Sequence, residues 1–138
     1  ISKGPTRMLT NFNRIVSPGI SGGITIIGIV ISFLGALLIS ITAIMLNIGD
    51  ITPIRIILIG TISGLLGSII DSVLGAIIQG KYRCAKCNII TDDSVHHGES
   101  SSLISGSSNI NNNTVNLLAT LSGSLIGAII FIILEITF

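Results

Sequence analysis

Two groups of residues in this sequence have types and spacings that chemistry uses. The first is Asp71, a carboxylate set inside the otherwise uncharged apolar run 56–78. An ionised carboxylate at such a place costs about 2.5–3.5 kcal/mol on insertion scales, so it must face a protein interior or a watered cavity. Three roles meet that requirement: a buried structural polar group, a metal-binding carboxylate, or a proton-handling one. The second group is Cys84-Ala85-Lys86-Cys87, followed by His96-His97. Cys-x2-Cys is a spacing at which two thiolates hold one tetrahedral Zn²⁺, and the two imidazoles can complete four ligands. Free thiols beside solvated histidines, or a redox pair, are the alternatives; a structural disulfide is disfavoured on a cytoplasmic face.

Two polar clusters accompany these groups. Ser17-Pro18-Gly19-Ile20-Ser21-Gly22-Gly23 immediately precedes an apolar run, where free N–H groups and the positive end of a helix dipole can receive a phosphate. A glycine loop is equally an ordinary turn or cap. Asn111, Asn112, Asn113 and Asn116 open a later run. The glycine loop, Asp71 and the amide cluster fall at one leaflet level on three different helices. No Walker lysine motif is present, so a nucleotide would be held by other means.

The elements that must position these residues follow from composition. Of 138 residues, 49% are hydrophobic and 9% charged, with a mean hydropathy of +0.92, whereas soluble domains carry roughly 25% charged residues. A water-soluble globular protein is excluded, and a net charge of +1 offers no basic field to nucleic acid. About 20 apolar residues cross the hydrocarbon core as a helix; the runs 24–46, 56–78 and 115–138 supply that length. Their Ile-rich text is β-prone by soluble statistics. In lipid every backbone group must be satisfied within the segment, and runs without period-2 polarity do not make barrel strands. The expected fold is therefore all-α: a polytopic integral membrane helix bundle with three transmembrane helices. One membrane domain, 1–138, divides into a tail and Gly-rich loop (1–23), a helix (24–46), a helix (56–78), a loop with a zinc knuckle (79–114) and a helix (115–138).

Basic residues orient the bundle. Lys3, Arg7 and Arg14 precede the first span and Lys81, Arg83 and Lys86 follow the second, leaving only Arg55 of the seven Lys and Arg residues in the connection. The tail and the 79–114 loop are expected to be cytoplasmic. Asn47, Gly49, Asp50 and Pro53 supply turn residues for the connection. Small or polar residues recur at helical spacing along each span: Gly28, Ser32, Ala36 and Ser40; Gly60, Gly64, Gly67, Asp71 and Gly75; Asn116, Thr120, Gly123 and Gly127. Such stripes let helices approach closely in lipid. Residues 100–108 are Ser/Gly-rich and read as a flexible linker. A chain opening at Ile1 on a polar segment is expected to be the C-terminal part of a longer protein.

The text resembles the integral-membrane family that includes plant phytyl-phosphate kinase and the animal protein called transmembrane protein 19. The likeness rests on Pro18-Gly19-Ile20-Ser21-Gly22-Gly23-Ile24-Thr25, on the block from Gly67 through Asp71 to Gln79, on Tyr82-Arg83-Cys84 with Cys87, and on the asparagine run into Val115-Asn116. Prokaryotic relatives tend to carry Asn where Ser21 stands, Asp where Asn113 stands and Cys where His97 stands; the last exchange keeps a metal ligand. The resemblance implies phosphoryl transfer from CTP or another nucleotide to a polyprenyl monophosphate in the bilayer. It gives Asp71 the catalytic Mg²⁺, Arg14, Gly19, Gly22 and Gly23 the phosphates, and Ser68, Ser72, Gln79, Asn112 and Asn116 supporting hydrogen bonds. It also implies an upstream half with its own acidic motif, as a partner to this segment. The rival is a non-enzymatic membrane protein, a transporter or scaffold with Asp71 as an ion or proton site. A transporter should continue polar residues through the outer half of the bundle, and Leu34 to Ile41 offers few.

Overall fold

The computed structural model describes residues 5–9, 11–16, 19–47 and 49–137, with Phe12 and Arg14 described by backbone alone. Two compact units are present, Ile26–Ile70 with Ala119–Phe138, and Ile1–Thr25 with Asp71–Leu118.

Three helices, α1 (Ile26–Met45), α2 (Pro53–Ile77) and α3 (Asn112–Thr137), are each long and apolar enough to cross a membrane. At 1.5 Å per residue even the shortest reaches about 30 Å, the thickness of the hydrocarbon core. Each differs from its sequence-based bounds by a turn or less, for reasons that lie in the caps. Pro53 is the first residue of α2, where its missing N–H is no loss, and Thr52 O accepts from Ile56 N at 3.2 Å. Arg55, expected in the connection, therefore lies in the first turn of α2. Asn47 closes α1 in the left-handed region, at φ 51. Asn111 caps α3: its Oδ1 accepts from Thr114 N at 3.1 Å, so the helix begins three residues before the expected 115.

In the first unit the polarity of an ordinary core is reversed. Ser40 and Thr61 are buried while Ile39 is 69% exposed, which is the arrangement expected where lipid replaces water and small residues set the contact. Along α1 and α2 a step of four in one helix is matched by a step of four back in the other. Gly60 faces Ser40, Gly64 faces Ala36, and Ser68 Oγ donates to Ser32 Oγ at 3.0 Å. A Cβ at Gly64 would stand 2.8 Å from the Ala36 Cβ, so only glycine permits that approach. The α2 and α3 seam keeps the same rhythm. Cβ atoms at Gly67 and Gly127 would stand 3.5 Å from Gly123 Cα and 3.4 Å from Ser63 Oγ respectively, and Arg55 Nη1 donates to Glu135 Oε1 at 2.5 Å.

The second unit contains short antiparallel strands, so the all-α expectation holds for the spans alone. β1 (Arg7–Met8) lies between β2 (Asn11–Ile15) and β3 (Gly23–Ile24). β4 (Lys81–Arg83) lies between β5 (Ile90–Thr91) and β8 (Ser102–Ser105), and β6 (Val95–His96) pairs with β7 (Glu99–Ser100). The expected flexible linker at 100–108 is thus in large part strand. Tyr82 pairs with Leu103, because backbone groups of β4 beside a buried Tyr82 need partners whatever the composition of the segment that supplies them. Among the described residues, Met8, Tyr82, Cys84 and Val115 are the buried apolar side chains of this unit.

Candidate functional site

Asp71 begins the last two turns of α2, and Gly75 lies one turn further on the same face. The glycine loop packs there. Gly22 is held at φ +82, and a Cβ on it would run into Ala76; a Cβ on Gly75 would stand 3.1 Å from that of Ser21. Close packing therefore accounts for Gly22, independently of any ligand. Gly23 N donates to Ile20 O at 3.0 Å and Leu9 N to Gly22 O at 2.9 Å, which ties the loop to β1. The loop leads into β3 before α1 begins, so its N–H groups are not the first turn of a helix as expected.

An anion does meet this loop, and the protein supplies it. Ser21 N donates to Asp92 Oδ2 at 2.9 Å, and Ser21 Oγ donates to the same oxygen. Asp92 Oδ1 and Asp71 Oδ1 are both buried with no hydrogen-bond partner among the described residues. Just beyond α2, the buried Lys81 donates its Nζ to Gly75 O at 2.6 Å, a cation on the negative end of the helix dipole. A cavity of about 530 Å³ lies in this unit, bounded by Met8, Ile15, Val16, Ile20, Lys81 and Ile90 among others.

The Cys/His group forms a separate centre. Residues 84–88 fold back on themselves: Asn88 N donates to Cys84 O at 2.9 Å and Cys84 N to Ile89 O at 3.0 Å. Asn88 takes the left-handed conformation, φ 57, that closes such a turn. His97 and Gly98, at φ 56 and 76, make the two-residue turn between β6 and β7, a conformation with both central residues at positive φ. Its effect is to present His96 to the cysteines. Cys87 Sγ stands 3.5 Å from His96 Nδ1, and the ligand atoms of Cys84, Cys87 and His96 all lie within 4.8 Å of one another. His97 is exposed in the turn and stands outside this group. Backbone N–H of Cys87, and after it the His96 side chain, hold the Cys84 thiol down to about 7.

The family described as integral membrane protein DUF92 matches residues 1–124. The chain belongs to this family. The uncharacterized membrane protein MJ0933 of Methanocaldococcus jannaschii is 32% identical over 118 residues, which is 86% of this chain and 37% of the relative. The chain thus spans just over a third of the length of that curated relative. No solved structure matches it.

Against this DUF92 fold the expected site residues fall into three classes. Asp71 and Gly22 share the neighbourhood of Gly75, a residue expected only as part of a packing stripe, and Cys84, Cys87 and His96 share another. Ser68 serves the α1 and α2 seam, and Gln79 is buried in a bridge to Ser107. Asn112 and Asn116 lie on the first turns of α3 and are exposed, while Asn111 is spent on the cap. Ser72 lies next to Asp71, half-buried. Gly19 stands at φ +93 with open space around it. The side chain of Arg14, with Ser17 and Pro18, lies outside the described residues. Two residues escape a reading by motif: Asp92 and Lys81. Asp92 meets Ser21 across 71 positions, a distance no local pattern encodes. Lys81 carries a local signal, a cation just past a helix end.

Proposed function

We propose that this DUF92 chain is part of a membrane-embedded kinase-like protein that transfers a phosphoryl group from CTP or another nucleotide to a prenyl monophosphate at the cytoplasmic leaflet. The observation that carries this reading is that two carboxylate oxygens, Asp71 Oδ1 and Asp92 Oδ1, are buried with no hydrogen-bond partner among the described residues. A buried anionic oxygen without a donor is costly unless a cation or proton answers it. Mg²⁺ suits such a place, since it is bound through one or two carboxylates together with phosphate oxygens, and when bound it neutralises charge on the transferring group. Asp71 and Asp92 would hold it.

The remaining residues position the substrates. Ser21 fixes the Asp92 carboxylate through two donors, so the loop and the acid move as one. Gly19 and Arg14 are the candidate phosphate contacts, and Lys81 adds positive charge at the end of α2. The cavity of about 530 Å³, lined by Met8, Ile15, Ile20 and Ile90 as well as Lys81, Asn88 and Ser105, offers a prenyl chain apolar wall beside polar groups, as a lipid acceptor with a charged head requires. The basic residues that flank the spans support a cytoplasmic tail and 79–114 loop. The resemblance to the phytyl-phosphate kinase and transmembrane protein 19 group supports the choice of substrate.

The test is nucleotide-dependent phosphorylation of prenyl monophosphates by the full-length protein in detergent or vesicles, with Asp71→Asn and Asp92→Asn alongside. Both variants should lose transfer while remaining folded. A wild-type protein inert toward every prenyl phosphate, yet conducting an Asp71-dependent ion or proton flux, would replace this reading with a transporter.

A further inference from the structure

We propose that Cys84, Cys87 and His96 form a zinc site with three protein ligands and a fourth position left to solvent, and that the metal fastens the β6–β7 hairpin to the Cys84–Asn88 turn. This inference is independent of phosphoryl transfer. Its first support is metric. With Zn–S at about 2.3 Å and Zn–N at about 2.0–2.1 Å, a tetrahedral angle sets the S-to-N edge at about 3.5–3.6 Å. Cys87 Sγ and His96 Nδ1 are 3.5 Å apart, and Cys84 Sγ falls within 4.8 Å of both. The Cys87–His96 edge is the one a single tetrahedral ion sets, and Cys84 Sγ lies near enough to be drawn in as the next ligand.

The second support is the backbone. Two turns, each needing a left-handed residue, aim the three side chains at one point: Asn88 at φ 57 on one side, His97 and Gly98 at φ 56 and 76 on the other. Positive φ is uncommon outside glycine even for Asn and His, which take it more readily than most residues, so these conformations are not the default of the sequence. Apolar burial alone gives little here: Val95 is 57% exposed and Ile89 53%, so a hairpin of two-residue strands has little core to hold it.

The third support is what stays outside. His97 is exposed and is not among the grouped ligand atoms, leaving three protein ligands where closed structural sites have four. Nδ1 of His96 faces the cysteines, so the imidazole must bind through that nitrogen as the neutral ring. Binding releases the two thiol protons, and no oxidation is involved.

The experiment uses the whole chain, purified in detergent, stripped with chelator and titrated with Co²⁺ and then Zn²⁺. The expected result is about one Co²⁺ per chain, with thiolate-to-cobalt charge-transfer and tetrahedral d–d absorption that Zn²⁺ then abolishes. Cys84→Ser and His96→Ala should weaken Zn²⁺ by more than about 100-fold, beyond the loss from an outer-sphere partner. His97→Ala should stay within about threefold of wild type. His96→Cys restores a third soft ligand and should keep the metal with stronger charge-transfer absorption, which separates ligation from folding. Absence of the charge-transfer band, its survival in Cys84→Ser, or loss of metal in both His96→Ala and His96→Cys overturns the site. Loss in His97→Ala equal to that in His96→Ala overturns the three-ligand assignment.

Discussion

The helical unit, Ile26–Ile70 with Ala119–Phe138, and the strand-bearing unit, Ile1–Thr25 with Asp71–Leu118, are built on opposite rules. In the first, structure comes from subtraction: Gly60, Gly64, Gly67 and Gly127 withhold side chains so that helices touch. In the second, it comes from addition. Lys81 caps a helix, Asp92 clamps a loop across 71 positions, and Cys87 meets His96. The difference follows from solvent. Lipid gives apolar side chains no reason to hide, so packing must come from shape, whereas short strands at an aqueous face lack the area for a core and need polar ties. The candidate site residues Asp71, Asp92, Cys84, Cys87 and His96 all fall in the second unit.

The largest expected effect separates the two units outright. Asp71→Asn nearly preserves shape, removes the charge, and should reduce prenyl-phosphate phosphorylation by at least about 10³-fold, the several kcal/mol that metal-assisted charge stabilisation supplies at 1.36 kcal/mol per tenfold. Stability should hold or rise, because an amide is cheaper to bury than an ionised carboxylate. Full-length protein assayed for radiolabel transfer, with unfolding followed in parallel, reads both. Retained turnover in a folded variant would leave Asp71 a structural polar group.

A second all-or-none measurement concerns which side of the membrane carries the strand-bearing unit. Ser108 is exposed beside the α3 cap. In a background with Cys84 and Cys87 replaced, Ser108→Cys should react with an impermeant thiol reagent only in inverted or opened vesicles. Labelling of sealed right-side-out cells would move the whole unit to the other face.

What the sequence reveals divides along the same line. Spans, Asp71 and the Cys-x2-Cys spacing are legible because each is a local pattern: an apolar run, a charge inside it, two thiols at chelating distance. The small-residue stripes were legible as seams, and Gly64 against Ala36 is one. The strands were not. Ser102–Ser105 has the composition of a linker, and it is the open edge of β4 that makes it β8. The Asp92 clamp was invisible for a related reason: a single carboxylate in a loop has no partner until the chain is folded. Asn111 shows the opposite error, a residue grouped with the amide cluster although Asn before an apolar run already signals a cap.

A smaller effect tests subtraction itself. Gly64→Leu places a side chain where even a Cβ meets Ala36 at 2.8 Å, so the α1 and α2 seam must open. Overpacking of this kind costs about 1–3 kcal/mol, measurable as a shift in detergent or denaturant unfolding of the helices. Gly35, on α1 beside Ala36, has nothing within 4 Å of its Cβ position, and Gly35→Leu should change stability little. Equal losses at both positions would mean that helix backbone propensity, rather than close approach, sets the cost.

The smallest effect should come from the ion pair between Arg55 and Glu135, although its 2.5 Å distance is the most conspicuous polar contact of the helical unit. The two side chains are 23% and 49% exposed, so water or headgroups screen them, and exposed pairs contribute about 0–1 kcal/mol. The α2 and α3 register is already fixed further along the seam, where Ser63 meets Gly127 and Gly67 meets Gly123 in the same four-residue rhythm. The pair reports that register and adds little to it. A double-mutant cycle of Arg55→Gln and Glu135→Gln should give a coupling below about 1 kcal/mol that falls further with salt. A coupling above about 2 kcal/mol, insensitive to salt, would show that charge and not shape locks these helices, and the rule of subtraction would fail at its outer end.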